Sequence, residues 1–211
     1  SFYSARQRVG KTTNTIGLAK ALARQGKRSL LFDCDSQEAL TRALVPARFM
    51  SHTETFAHVL KSNLQKPNMP SAYQCEKNII MVPGTSEWHV VDEVFFADEL
   101  LSCNDARRCC AHTNTTALTV KRAIEARYKY IDPDFVLIDT GSEINTINRH
   151  LLAASDYVIA STINGPHGHE SLYRMPAVFD HYKECYERVH KACERDKLPL
   201  VESTAKLVGY M

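Results

Sequence analysis

Five compact apolar runs constrain this chain more than anything else in it: Ser29-Leu30-Leu31-Phe32, Ile79-Ile80-Met81-Val82, Phe135-Val136-Leu137-Ile138, Tyr157-Val158-Ile159-Ala160 and Leu207-Val208. A strand with one wetted face alternates apolar and polar residues. A strand covered on both faces does not, and a parallel sheet sandwiched by helices is the arrangement that buries strands in this way. Phe2-Tyr3-Ser4 reads as a sixth run, clipped at its start. Helical patterns separate the runs. The clearest spans Thr12 to Gln25, where Ile16, Ala19, Leu22 and Ala23 recur at three- and four-residue steps and Gly26 follows as a C-cap. Further helices are predicted over Thr53–Leu64, Trp88–Leu101, Leu118–Tyr130, Ile144–Ala153 and Glu170–Arg195, the last interrupted or started by Pro176. Gln65 to Lys77, with Pro67 and Pro70, reads as a surface loop. Repeated strand–helix–strand alternation predicts an α/β fold with a doubly wound, mostly parallel sheet flanked by helices.

At 211 residues and 44% hydrophobic content, length argues for one domain, residues 1–211, with a sizeable core. A net charge of +2 supplies no general pull toward nucleic acid, so any such binding needs a local patch. No apolar run approaches the roughly 18 residues of a membrane span, and no leader pattern opens the sequence, so a soluble, cytoplasmic protein is expected. Seven cysteines without framework spacing fit a reducing compartment. Cys103, Cys109, Cys110 and His112 lack the paired spacing of a tetrahedral zinc site, and the three cysteines read as reduced thiols between helices.

In a doubly wound sheet, ligands bind at the carboxyl ends of the strands, and three polar clusters fall there. The first is Arg6-Gln7-Arg8-Val9-Gly10-Lys11-Thr12-Thr13, between a strand and a helix. That is the place of a phosphate-binding loop, in which backbone N–H groups meet phosphate oxygens, the Lys reaches the β- and γ-phosphates and the Thr hydroxyl ligates Mg²⁺. Only half of the GxxxxGK[ST] pattern is present, since Ala5 stands at the first Gly. A GKT triplet recurs by chance, so the other clusters decide. Asp139 closes the run Phe135–Ile138 and suits either a Mg²⁺-associated carboxylate or a helix cap. Asp33 and Asp35 close the second strand, two residues apart and on one side of the chain. Paired carboxylates near a polyphosphate are costly unless a metal or a Lys neutralises them, so the pair carries more weight than either acid.

Together these segments resemble the ParA/Soj branch of the ParA–MinD ATPases, the deviant Walker A family of P-loop proteins. Arg6–Thr13 is similar to its KGGVGKTT, Gly26–Gln37 to its GKRVLLIDLDPQGN and Asp134–Thr140 to its YDYIIIDTPPS. Leu152–Ile159 resembles ALAAADYVIV, His169-Glu170-Ser171-Leu172 resembles LEGL, and Asn78–Gly84 resembles NLDLIPA. The resemblance implies ATP/ADP and Mg²⁺ as cofactors, held by Arg8, Val9, Gly10, Lys11, Thr12 and Thr13. It places Lys11 on the β/γ-phosphates, Thr12 on the metal, Asp139 in the metal's second shell, Asp35 on the attacking water and Asp33 in support. Arg6 stands where the family has a Lys that crosses a sandwich homodimer to the partner's phosphates. An Arg there keeps the charge but not the shape.

The chain departs from the pattern in three places. Gln7 and Arg8 replace two glycines, and a positive φ at either would cost about 1–2 kcal/mol. Ser36 replaces one Pro and Gly141-Ser142 replace two, which loosens those segments. No stretch corresponds to the family's C-terminal tail. The implied function is a partition or cargo-positioning ATPase that dimerises on Mg-ATP, binds DNA nonspecifically on the nucleoid and is stimulated by a ParB-like protein. The alternative is a degenerate, non-hydrolysing relative serving as a binding or regulatory protein. Lys183, Arg188, Lys191, Arg195 and Lys197 interleave with Glu184, Glu187, Glu194 and Asp196, the pattern of a solvated helix face rather than a DNA platform. A membrane-positioning role of the MinD kind needs an amphipathic C-terminal helix that Leu198–Met211 does not offer. His167 and His169 are assigned no role.

Overall fold

A computed structural model of the chain describes residues 1–4, 6–52, 55–62, 70–102, 130–143, 145–165 and 205–210, with scattered positions in 120–125 and 168–195. The strands are β1 (Phe2–Tyr3), β2 (Ser29–Cys34), β3 (Tyr73–Glu76), β4 (Ile79–Val82), β5 (Phe135–Thr140), β6 (Tyr157–Ala160) and β7 (Lys206–Tyr210). The helices are α1 (Lys11–Arg24), α2 (Ala39–Leu44), α3 (Phe56–Ser62), α4 (Trp88–Ser102) and α5 (Thr146–Ala153), with a 3₁₀ turn over Ala47–His52. The strands form one seven-stranded sheet in the order β3-β4-β2-β5-β1-β6-β7. Every pair is parallel except β3 with β4.

The predicted apolar runs are the strands, and alternation along them explains why they look continuous. Leu30, Phe32 and Ile138 face a core built from Phe56, Trp88, Val91, Phe95, Ile147 and Leu151. Leu31 and Leu137 face the opposite way, onto a core with Ala19, Ile16 and Leu22 of α1. Burial on both faces leaves no polar slot. β1, only two residues long, lies between β5 and β6 with both side chains buried, and Thr140 Oγ1 donates to the Phe2 carbonyl at 2.7 Å. Helix α1 closes in a Schellman motif: Gly26 N–H donates to Ala23 O and Lys27 N–H to Leu22 O, each at 3.0 Å, with Gly26 at φ 77° as its left-handed residue.

Two corrections follow. Part of the segment expected to be a surface loop, Gln65–Lys77, is strand: Tyr73–Glu76 pairs antiparallel with β4, half-burying Tyr73 and Cys75 and exposing Gln74 and Glu76. Four residues with two polar positions are too short for that alternation to stand out. Helix α2 was also not anticipated, and it supplies part of the site. The helix expected over Leu118–Tyr130 is represented by helical positions such as Val120 and Ile124, both buried in the core. Cys103, Cys109, Cys110, His112, His167 and His169 lie outside the described residues. Among the described residues no helix is long and apolar enough to cross a membrane.

The sheet delivers β2, β4 and β5 side by side, so their carboxyl ends meet. Gly84, two residues past β4, presses against β2. A Cβ added there would lie 2.7 Å from the Asp33 carbonyl oxygen and 2.9 Å from its Cγ. The Trp88 indole donates to the same carbonyl at 3.2 Å. Gly84→Ala is therefore expected to cost about 2–3 kcal/mol through overpacking against backbone. Denaturant unfolding followed by the fluorescence of Trp88, the single tryptophan, measures it; a loss below about 0.5 kcal/mol, the range of a neutral surface change, would contradict this reading.

Candidate functional site

The loop from Arg6 to Gly10 joins β1 to α1 and places its residues at the carboxyl end of the central strands. Gly10 is the N-cap of α1 at φ 84°, and its carbonyl accepts the Asn14 N–H at 2.8 Å. Asn14 Nδ2 donates to Ser161 Oγ at 3.3 Å, tying the first turn of α1 to the end of β6. Val9 is buried and anchors the loop, whereas Gln7, Arg8 and Thr13 are exposed. Lys11, the first residue of α1, is 6% exposed. Burial lowers its pKa, with the charges of Asp35 and Asp139 opposing that shift. Its ammonium donates to the Arg6 carbonyl at 3.3 Å and to the Ser142 hydroxyl.

Asp33 and Asp139 are register partners on adjacent strands and share the face that carries Leu31 and Leu137. Both are fully buried. Their surroundings differ. Thr41 of α2 donates to Asp33 Oδ2 through its N–H at 2.8 Å and its hydroxyl at 2.6 Å, and the Asp35 N–H donates to Oδ1 at 3.2 Å. Gly84 N–H completes the cluster by donating to Thr41 Oγ1 at 2.8 Å. Asp33 thus fastens β2, α2 and the end of β4 together. Asp139 has one hydrogen-bond partner among the described residues, the Thr12 hydroxyl, which donates to Oδ2 at 2.7 Å. Its Oδ1 is buried and accepts no hydrogen bond among the described residues.

That orphaned oxygen is the feature that fits a metal. A buried carboxylate with one open lone-pair face, bonded to a hydroxyl at the start of a helix and near a Lys, is a hard-oxygen donor set of the kind Mg²⁺ uses alongside waters and phosphates. Burial pushes the Asp139 carboxyl up to about 7, the charges of Asp33 and Asp35 adding to it and Thr12 and Lys11 opposing it. Burial likewise brings Asp33 to about 6, opposed by its bonds to Thr41 and Asp35 N–H. Asp35 is half-exposed at the rim, its Oδ1 accepting the Gln37 N–H at 2.9 Å.

A family model described as an AAA domain matches residues 1–189, about nine-tenths of the chain. The chain belongs to this AAA-domain family. Two Mycobacterium tuberculosis proteins, MT1749 and Rv1708, are 31% identical over 156 residues, which is 73% of this chain. The chain spans 43% of the length of these relatives. Among solved structures, cobyrinic acid a,c-diamide synthase from Mycobacterium smegmatis with bound ADP and magnesium shares the fold at TM-score 0.68 and 18% identity, covering 100% of this chain and 71% of that one. A plasmid partition protein from Borrelia burgdorferi does so at TM-score 0.64 and 21% identity, covering 86% of this chain and 72% of that one.

Against the ParA–MinD motif, the replaced glycines separate into two classes. Gln7 does not adopt a positive φ, whereas Arg8 does, at 59°. Glu38, which stands at the Gly of DPQGN, does so at 53°. The backbone keeps the left-handed turns that glycine serves while carrying side chains through them. Glu38 uses its side chain: Oε2 pairs with Arg42 at 3.1 Å and Oε1 accepts the Ser86 N–H, joining α2 to the segment after β4. Thr41, Gly84 and Ser142 were not singled out as site residues from the sequence. Thr41 is eight residues from Asp33, and no residue pattern marks it.

Relief of left-handed strain at Arg8 is worth about 1–2 kcal/mol, and the extra freedom of an unfolded Gly returns about 0.5–1 kcal/mol. Arg8→Gly is therefore expected to stabilise the fold by about 0.5–1 kcal/mol, read as an upward shift of the denaturation midpoint. A lower midpoint would show that the Arg8 side chain contributes more than its backbone costs. The buried carboxyls set the pH dependence. Their folded pKa values lie above the unfolded value, so the native state holds protons that the unfolded chain releases. Their contribution is fully present below pH 3.8 and is lost as pH rises through about 6 for Asp33 and about 7 for Asp139. Metal-free protein should be more stable at about pH 5 than at about pH 8, and Asp139→Asn should flatten that slope. Equal slopes in both proteins would remove Asp139 as its source.

Proposed function

We propose that this chain is a ParA-like ATPase: it binds Mg-ATP, dimerises when loaded, and positions a partition complex or other cargo on DNA. The observation that supports the reading best is the constellation of buried Lys11 and Asp139 with half-buried Thr12 and the open Asp139 Oδ1. In the loaded site the backbone from Arg8 to Thr13 cradles the phosphates. Lys11 contacts the β- and γ-oxygens, and Thr12 with Asp139 holds the metal, whose chemistry is to neutralise charge developing on the transferred phosphoryl group. Asp35, at the rim, orients the attacking water. Asp33 acts through Thr41 and Gly84, fixing β2 against the loop that carries Asp35. Arg6 presents its guanidinium to the partner subunit's nucleotide. A cytoplasmic, nucleoid-associated location and a ParB-like stimulating protein follow from the family rather than from this surface. On the expected basic helix, Lys183 pairs with Glu187 at 4.0 Å, an exposed i,i+4 contact of a solvated face.

The left-handed Arg8 favours a second reading, a relative that binds nucleotide or a partner without turnover. Calorimetric titration with ATP and ADP, with and without Mg²⁺, followed by phosphate release, separates the two. Lys11→Ala is expected to weaken nucleotide binding on the order of 100-fold, since it removes the charge-assisted phosphate contact. Asp35→Ala should retain binding and lose on the order of 100-fold in turnover. Arg6→Ala should lose turnover and weaken ATP-dependent dimerisation in sedimentation. Unchanged behaviour in all three sinks the ATPase reading, and binding without phosphate release in the parent protein selects the second.

A further inference from the structure

The Lys11 ammonium is already occupied. It donates to the Arg6 carbonyl at 3.3 Å and to the Ser142 hydroxyl, which itself donates to that same carbonyl at 3.0 Å. Three groups, from the loop before α1, the first residue of α1 and the segment after β5, thus close a ring that joins residues 131 apart in sequence. Lys11 is almost wholly withdrawn from water, and a desolvated ammonium holds its few acceptors tightly because nothing else solvates it. Ser142 stands where the family's DTPPS motif has a Pro, which has no hydroxyl. The ring is therefore built on a hydroxyl that the DTPPS motif does not offer at this position.

The segment that Ser142 anchors leads into the helical layer. Asn148 Nδ2 donates to the Glu143 carbonyl at 2.7 Å, and Asn145 Oδ1 caps α5 by accepting the Asn148 N–H at 3.0 Å. The preceding amide, Ile147 N–H, donates to Asp92 Oδ1 of α4 at 2.8 Å. A change in the hold on Ser142 therefore acts on a segment joined within six residues to two helices.

We propose that Ser142 is a latch on the empty site: its hydroxyl holds Lys11 against the Arg6 carbonyl, and the terminal phosphates of a nucleotide displace it. When phosphate oxygens take the ammonium, Ser142 loses its charged partner, and its segment is held to the phosphate loop more weakly, through the bond from its hydroxyl to the Arg6 carbonyl. The ligand in this inference rests on the nucleotide-binding reading above; the latch itself is a property of the empty protein. It also makes binding weaker than the cradle alone would give, because the ligand competes with a preformed contact.

The test compares the parent chain with Ser142→Ala, which removes the hydroxyl, and Ser142→Thr, which keeps it. Without nucleotide, amide exchange over residues 141–145 should be about tenfold faster in the Ala variant and near parental in the Thr variant. Mg-ADP should bind the Ala variant about three- to tenfold more tightly, since no latch has to be broken. Addition of Mg-ADP should speed exchange in this segment of the parent and leave the Ala variant unchanged. Equal exchange in the empty parent and Ala variant overturns the latch. So does weaker Mg-ADP binding by the Ala variant, which would make Ser142 a nucleotide contact instead. Should the parent bind no nucleotide, the proposed function fails, while the exchange comparison in the empty protein still decides the latch.

Discussion

Asp33 and Asp139 lie directly opposite each other on β2 and β5, both removed from solvent. Two adjacent buried carboxylates repel, and each pays the cost of desolvation, so the fold has to supply compensation within a few ångströms. It does so unequally. Asp33 receives three donors from Thr41 and Asp35 and becomes a structural fastening. Asp139 receives one and keeps an oxygen open. Much of the nearby architecture follows from that division. Helix α2 must present Thr41, Gly84 must lack a side chain, and α1 must begin with a Lys and a Thr close to Asp139.

The same division bears on how the site responds to its surroundings. Asp33 is locked into the β2–α2–β4 junction, so its bonds move only if that junction moves. Asp139 accepts from the Thr12 hydroxyl and keeps Oδ1 without a hydrogen bond among the described residues. Lys11, between the phosphate loop and Ser142, has acceptors that a ligand can replace. The rigid and the exchangeable contacts are therefore on different residues. A site built this way can change occupancy without loosening the sheet beneath it, which is what reuse of the same loop requires.

Sequence reading recovered the parts governed by repetition. Six strands were legible from their apolar runs; burial on both faces explains the runs of β1, β2 and β4, whereas Leu207 and Val208 of β7 are apolar but exposed. Helices α1, α4 and α5 were legible because their apolar spacing is regular. The grouping of Lys11, Thr12, Asp33, Asp35 and Asp139 at one end of the sheet was legible because each stands among the last residues of a strand, just after one, or at the start of a helix, where position in sequence fixes position in space. The missed elements share a different property. Tyr73–Glu76 becomes a strand through pairing with β4, and Thr41 reaches Asp33 because α2 folds back, neither of which a local window records. Ser142 was read only as the loss of a Pro. Its contact with Lys11 joins residues far apart in the chain, and a hydroxyl in a loop carries no signal of its partner. The glycine replacements were legible as a cost, but only the backbone shows that Arg8 bears it and Gln7 does not.

The location of that cost affects binding and turnover differently. A left-handed Arg stores about 1–2 kcal/mol, small beside the roughly 8 kcal/mol of a micromolar complex. Phosphate recognition through backbone N–H groups and Lys11 tolerates such a penalty, since several contacts share it. Hydrolysis is less tolerant, because an in-line attack depends on a fixed water and loses rate steeply when a loop shifts by about an ångström. The two left-handed side chains lie in different loops, Arg8 before the Lys and Glu38 just after Asp35. Glu38 is braced by Ser86 and Arg42, so the loop that carries Asp35 has support in compensation for its strain. The Arg8 side chain is exposed at the mouth of the phosphate loop. On the proposed ATPase reading, a loss of turnover would trace first to the phosphate loop, with the carboxylate side of the site held in register by its own bonds.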